Sequence, residues 1–232
     1  MTKENIYENE TLDKSPMFTE QARNMLEFAM PQLQEYNKLM AYYRCAVMEI
    51  ETKFNVLNEE FSLQHDRNPI NGMMSRLKKF SSIVDKLERK NLPMTIENIE
   101  ENLNDIAGIR VVCSFPDDVY MLADAFLAQD DITLIKKKDY IANPKPNGYR
   151  SLHLIVSVPI FLAHEKRVMK AEIQLRTIAM DSWASLEHQL RYKKDFEFTS
   201  YMASELLHCA QLSAELDAKM DALRDMVQSG TE

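Results

Sequence analysis

Glycine is scarce in this chain, with four in 232 residues, which fits a helix-rich protein. Cysteine is sparser still, with three. Cys45, Cys113 and Cys209 are far apart, odd in number and lack any CxxC spacing. That excludes a disulfide framework and a zinc cluster and leaves reduced thiols. No apolar run reaches the length that spans a bilayer, so no membrane partner is expected. The opening Met1-Thr-Lys-Glu-Asn-Ile6 lacks the basic-then-apolar pattern of a secretory leader, and a cytoplasmic protein is the expectation. Internal repeats and low-complexity tracts are missing too. Basic charge is in deficit: the formal net charge of −8 argues against a general nucleic-acid binder, with no DNA partner expected and RNA binding left open but not indicated.

What is present is a soluble globular composition, 45% hydrophobic and 28% charged, with length enough for one domain and appendages. The charge is unevenly placed. Between Ser75 and Lys90 six basic residues (Arg76, Lys78, Lys79, Lys86, Arg89, Lys90) face two acids. Between Lys136 and Arg150 five face Asp139 alone, while Asp195 to Glu232 holds eight acids and two bases. Two basic islands in an acidic chain suit a local polyanion such as a nucleotide phosphate.

The most informative stretch is Lys170-Ala-Glu-Ile-Gln-Leu-Arg-Thr177. With a period of two, Ala171, Ile173 and Leu175 share one face, and Lys170, Glu172, Gln174 and Arg176 the other. The run Ser151–Val158 alternates likewise and sets His153 opposite Leu152, Leu154 and Val156. A carboxylate, an amide, a guanidinium and an imidazole thus meet on one face of a small sheet, although an ordinary wet strand face shows the same alternation.

Elsewhere, residues 1–16 read as a frayed polar start. Thr19–Asn58 reads as helix, with Pro31 a break or first turn and an apolar stripe from Leu33 to Leu57 that packs on the core or on a partner subunit. Asn68–Gly72 is a turn signal. The basic segment 75–90 is helical in its second half, with Ser81 or Ser82 as N-cap, and is either a solvated face or a phosphate site. Ile96–Asp105 is a short acidic helix. Ala107–Phe115 is the first clear strand and Ile132–Tyr140 the second, with a helix from Val119 to Gln129 between them. The loop 143–148 follows. Helices span Ala179–Arg191, where Trp183 reads as core, and Ser200–Val227. Asp105 and Glu172 either hold Mg²⁺, act on a hydroxyl, or are plain surface acids. Tyr149 is a hairpin aromatic or a base-stacking platform, and Arg76 and Arg110 are base clamps or surface charges.

Five segments in order, Arg76-x-Lys78…Ser82…Lys86…Arg89, Asp105-Ile-Ala-Gly-Ile-Arg110, Gly148-Tyr-Arg-Ser-x-His153, Glu172-Ile-Gln-Leu-Arg-Thr177 and Trp183…Glu187-His188, resemble the synthetase domain of the RelA/SpoT homologue superfamily. The likeness covers about residues 35 to 195, and the flanking helices make the chain similar to a stand-alone small alarmone synthetase. It implies an α/β (α+β) fold with a mixed sheet of about five strands, nucleotidyltransferase-like, between long terminal helices. The implied division is 1–34 as a polar segment and helix, 35–195 as the catalytic domain and 196–232 as an oligomerisation helix, in a homotetramer. The implied reaction is that of a GTP/GDP diphosphokinase, moving the β,γ-pyrophosphate of ATP onto the 3′-hydroxyl of GDP or GTP with Mg²⁺.

Motif by motif, Arg76 and Arg110 correspond to an adenine sandwich, and Lys78, Ser82, Lys86 and Arg89 to ATP-phosphate ligands. Asp105 corresponds to a Mg²⁺ ligand, and Glu172 either completes that site or takes the 3′-hydroxyl proton. Tyr149 corresponds to a guanine stack and Lys138 and Lys145 to acceptor-phosphate contacts. His153 and Gln174 line the acceptor side, and Glu187, helped by Asp181, reads the guanine edge. Asp181 departs from the Asn of some members, a change that keeps an acceptor. Gly72 and Met74 stand where alarmone-activated members carry an aromatic and a threonine, which points to the branch without that activation. His65-Asp66 imitates a hydrolase motif, but the chain has no preceding helical hydrolase domain, so synthesis without hydrolysis is expected. The rival readings are a degenerate module using its basic islands on RNA, and a structural oligomer. Retention of both Asp105 and Glu172 counts against the first, and the basic islands against the second.

Overall fold

The computed structural model describes residues 20–65, 67–191 and 198–230. The expectations for residues 1–16 and for Asp66 lie outside them. The chain divides into two compact units, residues 1–39 and 40–232. In the first, the described residues belong to helix α1 (Glu20–His65), which runs through Pro31, so Pro31 is neither the break nor the first turn expected of it. There Met30 and Leu33 are exposed.

In the second unit α1 continues, and Tyr43, Ile50 and Phe54 are buried, each at most 2% exposed. Phe54 stacks on Phe126 with ring centroids 4.6 Å apart. Each such buried side chain stabilises the fold by about 1.5–3 kcal/mol. The Tyr43-to-Leu57 part of the stripe is therefore spent on this chain's own core, which removes it as a surface for a partner subunit. After α1 come β1 (Ile70–Leu77), α2 (Phe80–Glu88), α3 (Ile96–Asn102), β2 (Ala107–Cys113), α4 (Pro116–Leu127) and β3 (Thr133–Asp139). Then follow β4 (Leu152–Phe161), β5 (Lys166–Thr177), α5 (Ile178–Arg191) and α6 (Ser200–Ser229).

The five strands form one mixed sheet in the order β1-β2-β5-β4-β3, with only β2 and β5 parallel. One face is apolar. Ile109, Val111, Leu152, Leu154, Val156, Ala171, Ile173 and Leu175 are each at most 2% exposed. Strand parity then forces the alternate residues onto the opposite face.

Two sequence readings need correction. Ile70–Leu77, read partly as a turn, is an edge strand pairing antiparallel with β2, and its register shifts beside Gly72. Helix α2 begins at Phe80 with Lys79 as N-cap and no side-chain cap, so Ser81 and Ser82 lie within its first turn and cap nothing.

Candidate active site

The polar face can be read across the sheet from the register. One row runs Met74, Arg110, Gln174, His153, Lys138; the next runs Arg76, Gly108, Glu172, Ile155, Lys136. A bulge between Leu134 and Lys136 sets the parity of β3, so that Lys136 and Lys138 fall on this face. Arginines therefore occupy the β1–β2 side, Glu172 and Gln174 the centre, and His153 and the lysines the β4–β3 side. An open cleft of about 200 Å³ is lined by Arg76, Asp105, Arg110, Glu172 and Gln174, with Met74, Ser75, Gly108 and Ile109 completing its walls. Arg76 packs over Gly108: a Cβ built there would sit in ordinary van der Waals contact with Arg76, 3.6 Å from Cγ and 3.8 Å from Nε.

Asp105, between α3 and β2, receives two ammonium groups on one oxygen: Lys78 Nζ donates to Oδ2 at 3.0 Å and Lys86 Nζ lies 2.7 Å from it. Burial pushes this carboxyl up, but the hydrogen bonds and charges of Lys86 and Lys78 outweigh it and hold it below the usual carboxylate range. Its other oxygen, Oδ1, is buried without a hydrogen-bond partner among the described residues. A buried, ionised, unshared carboxylate oxygen suits a hard divalent cation. Glu172 is the second carboxylate on the cleft, and no cluster of three or more His, Cys, Asp or Glu suited to a metal occurs among the described residues. Two carboxylates with nucleotide phosphates and water fit Mg²⁺, which is seldom held by protein groups alone.

Both oxygens of Glu172 are engaged. His153 Nδ1 lies 3.4 Å from Oε1, and Gln174 Nε2 donates to Oε2 at 3.2 Å. Burial raises this carboxyl, while His153 and Gln174 outweigh it and place the net shift downward. The hydroxyl of Tyr149 is 2.9 Å from His153 Nε2 and accepts from Ser151 Oγ at 3.0 Å and Arg176 at 2.6 Å. The same Arg176 nitrogen donates to Gln174 Oε1 at 3.0 Å. Glu172, His153, Tyr149, Arg176 and Gln174 thus close a ring.

The remaining expected residues are placed as follows. Asp181 accepts from Arg176 at 2.9 Å, and the same oxygen pairs with the Arg110 guanidinium 3.1 Å away, so in this structure it serves two guanidiniums. Lys145 Nζ stands 4.8 Å from the ring centroids of Tyr140 and Tyr149. Glu187 accepts from Asn147 at 3.4 Å, tying α5 to the loop before Tyr149, and forms an ion pair with Arg191 at 2.8 Å. Lys138 pairs with His153 across β3 and β4. Ser82 is half-buried in the first turn of α2, and Arg89 is exposed with its Nε on the Asp85 carbonyl.

Arg176 was given no role by the sequence although its parity put it on this face, and it is 4% exposed. Ser151, Tyr140 and Asn147 were likewise passed over, and only their nearness to Tyr149 in sequence could have flagged them. Trp183 is core as expected, its indole donating to the Leu206 carbonyl at 2.8 Å.

A small mixed sheet with arginines, two carboxylates and an aromatic–imidazole pair in this order defines a nucleotide-handling synthetase fold. Solved structures with that architecture are the small alarmone synthetase 2 of Bacillus subtilis, at TM-score 0.75 and 40% identity over 82% of this chain and 98% of that one, and the small alarmone synthetase 1 of the same organism bound to its product pppGpp, at TM-score 0.76 and 33% identity over 84% and 99%. The family model described as the region found in RelA / SpoT proteins matches residues 75–197. GTP pyrophosphokinase YwaC of Bacillus subtilis (strain 168) is 42% identical over 195 residues, which is 84% of this chain and 93% of that protein. GTP pyrophosphokinase YjbM of the same strain is 33% identical over 194 residues. The chain belongs to the RelA/SpoT family.

Proposed function

We infer that this chain is a (p)ppGpp synthetase, a GTP/GDP diphosphokinase transferring the β,γ-pyrophosphate of ATP to the ribose 3′-hydroxyl of GDP or GTP, without hydrolase activity. The observation that carries the reading is the order of groups across the sheet: Arg76 and Arg110 on β1 and β2 with Asp105 at the entry to β2, then Glu172 on β5, then His153 on β4 with Tyr149 just before it. That order matches a donor side, a reacting centre and an acceptor side. Small alarmone synthetase 1, whose solved structures include complexes with pppGpp and AMPCPP, lends support as a relative at 31–33% identity.

In this reading the adenine lies between Arg76 and Arg110, whose planar guanidiniums stack on a base. Lys78, Lys86, Ser82 and Arg89 receive the donor phosphates. Guanine stacks on Tyr149, displacing the exposed Lys145 ammonium, which then meets the acceptor phosphates with Lys138. Gln174 lines the acceptor side with His153, and Glu187 and Asp181 reach the guanine edge once released from their present partners. Asp105, with its unshared oxygen, is the metal ligand, and Mg²⁺ when bound supplies charge neutralisation at the phosphates. Glu172, already turned toward His153 and Gln174, accepts the 3′-hydroxyl proton. The 3′-oxygen bonds to the β-phosphorus, the bond from that phosphorus to the α,β-bridging oxygen breaks, and AMP leaves. The working protein is a cytoplasmic homotetramer built through α6. No helix among the described residues is long and apolar enough to cross a membrane.

The test is direct. Purified protein with ATP, GDP and Mg²⁺ gives ppGpp and AMP, and added ppGpp persists. ADP and inorganic phosphate without 3′-modified guanosine overturns the reading.

A further inference from the structure

Arg176 can only donate hydrogen bonds, and an ionised Glu172 can only accept them. Between these two ends the ring has a single consistent polarity. Along one arm, Arg176 donates to Gln174 Oε1, and Gln174 Nε2 donates to Glu172 Oε2. Neither contact survives a flipped amide, so this arm fixes the orientation of Gln174. Along the other arm, the Tyr149 oxygen accepts from Arg176 and from Ser151, which uses both its lone pairs and leaves its proton for His153 Nε2. That assigns His153 the tautomer with its proton on Nδ1, directed at Glu172 Oε1 3.4 Å away. Both arms issue from one guanidinium and converge on one carboxylate.

We propose that Arg176 is the positioning residue of the synthetase site: its buried fork sets the pose of Glu172 through Gln174 on one side and through Tyr149 and His153 on the other. The inference rests on the synthetase reading, in which Glu172 takes the 3′-hydroxyl proton. Arg176 does not touch the reacting atoms. Its carboxylate partner, Asp181, spends the same oxygen on Arg110 as well, so the hub is also tied to the donor side. Lysine cannot replace it, because its single ammonium lacks the second nitrogen that holds Asp181 while Nη2 holds both Tyr149 and Gln174.

The experiment compares kcat and KM for wild type, Tyr149→Phe, Arg176→Lys and the double variant, with melting temperatures alongside. Tyr149→Phe keeps the ring that stacks on a base and cuts one arm only. It is expected to lower kcat about 10-fold while acceptor KM moves less than about 3-fold. Arg176→Lys lowers kcat at least as far, and the double variant falls no further than Arg176→Lys alone, because both act through one contact. A Tyr149→Phe variant with wild-type kcat, or multiplicative losses in the double variant, overturns the proposal. If Arg176→Lys fails to fold, Gln174→Leu, which cuts the other arm, takes its place. It too must lower kcat with the melting temperature retained, and an unchanged kcat refutes the hub. A wild type that forms product while these variants fail the pattern sinks only the hub; a wild type that forms no 3′-modified guanosine sinks the synthetase reading and the hub with it.

Discussion

Thr177 donates its hydroxyl to Asp217 at 2.9 Å, a buried hydrogen bond joining the last residue of β5 to the middle of α6. The same Thr177 oxygen accepts from the Met180 amide at 3.1 Å, starting α5. Arg150, next to Tyr149, brings its guanidinium to 3.9 Å from Asp217. Nearby, a Cβ at Gly148, whose φ is +88°, would come within 2.4 Å of the Ala210 Cβ of α6. The loop carrying Tyr149 is therefore packed directly on α6, and only glycine fits at that approach.

Asp217 itself gives a prediction about pH. Burial raises its pKa, and the hydrogen bond from Thr177 and the charge of Arg150 do not fully offset that. A folded-state pKa above the unfolded one means stability that is present in acid and lost as pH rises through the folded value. At neutral pH the buried charge is thus a net cost. Asp217→Asn, which can still accept from Thr177, is expected to match or exceed the wild-type melting temperature at neutral pH. Its advantage should vanish as the pH falls through the carboxyl's raised pKa. A drop of more than about 2 °C at neutral pH, the scale of ~1 kcal/mol for a domain of this size, contradicts it.

The two carboxylates separate by their partners. Replacing Glu172 or Asp105 by Ala should lower turnover at least ~10²-fold, the scale of a lost base or charge-stabilising group. Both should fold, since these side chains line a cleft. Asp105→Ala should in addition raise the Mg²⁺ concentration needed for half-maximal activity, and Glu172→Ala should not. Near-normal turnover in both variants makes them surface acids, and an equal shift in Mg²⁺ demand makes both of them ligands.

Tyr149→Ala should weaken guanine-nucleotide binding by roughly 1–3 kcal/mol, the usual loss of one aromatic–base stack. Binding of a non-hydrolysable ATP analogue should change far less, because Arg76 and Arg110 stand on β1 and β2 and Arg110 is linked to Tyr149 through Asp181 and Arg176. Calorimetry with each nucleotide separately decides, and equal weakening of both assigns Tyr149 a structural role alone.

These predictions draw unequally on what the sequence displayed. Parity within β4 and β5 put His153, Glu172, Gln174 and Arg176 on one face, because strand periodicity is local and one face of the sheet is fully buried. The edge strand β1 stayed hidden. Its residues Asn71 and Gly72 read as a turn, and an edge without a buried side chain shows no alternation. The ring through Tyr149 and Arg176 was not legible either, since it depends on the inter-strand register and on how the loop before β4 is covered by α6. Asp217 lies 40 residues from Thr177, and no local pattern marks a contact of that range.

The last prediction concerns assembly. On α6, Ala210 and Asp217 are buried against the rest of the chain, whereas Leu212, Leu216, Met220, Leu223 and Val227 are 48–83% exposed. At 3.6 residues per turn these five form one stripe about a third of a turn from the docked face. A bare apolar stripe of that length is a surface for another molecule, and a second copy through a symmetric contact is the simplest occupant. Truncation at Ser200 is a poor test, because it also uncovers Gly148 and the loop carrying Tyr149. Leu216→Glu with Leu223→Glu leaves the docked face intact and charges the stripe. The wild type should sediment as a homotetramer at micromolar concentration, and the double variant should approach the 27.0 kDa of a single chain. Its folding should be retained, since neither leucine is in the core. A wild type that already sediments as a single chain refutes the assembly, and a charged variant that stays tetrameric moves the interface away from α6.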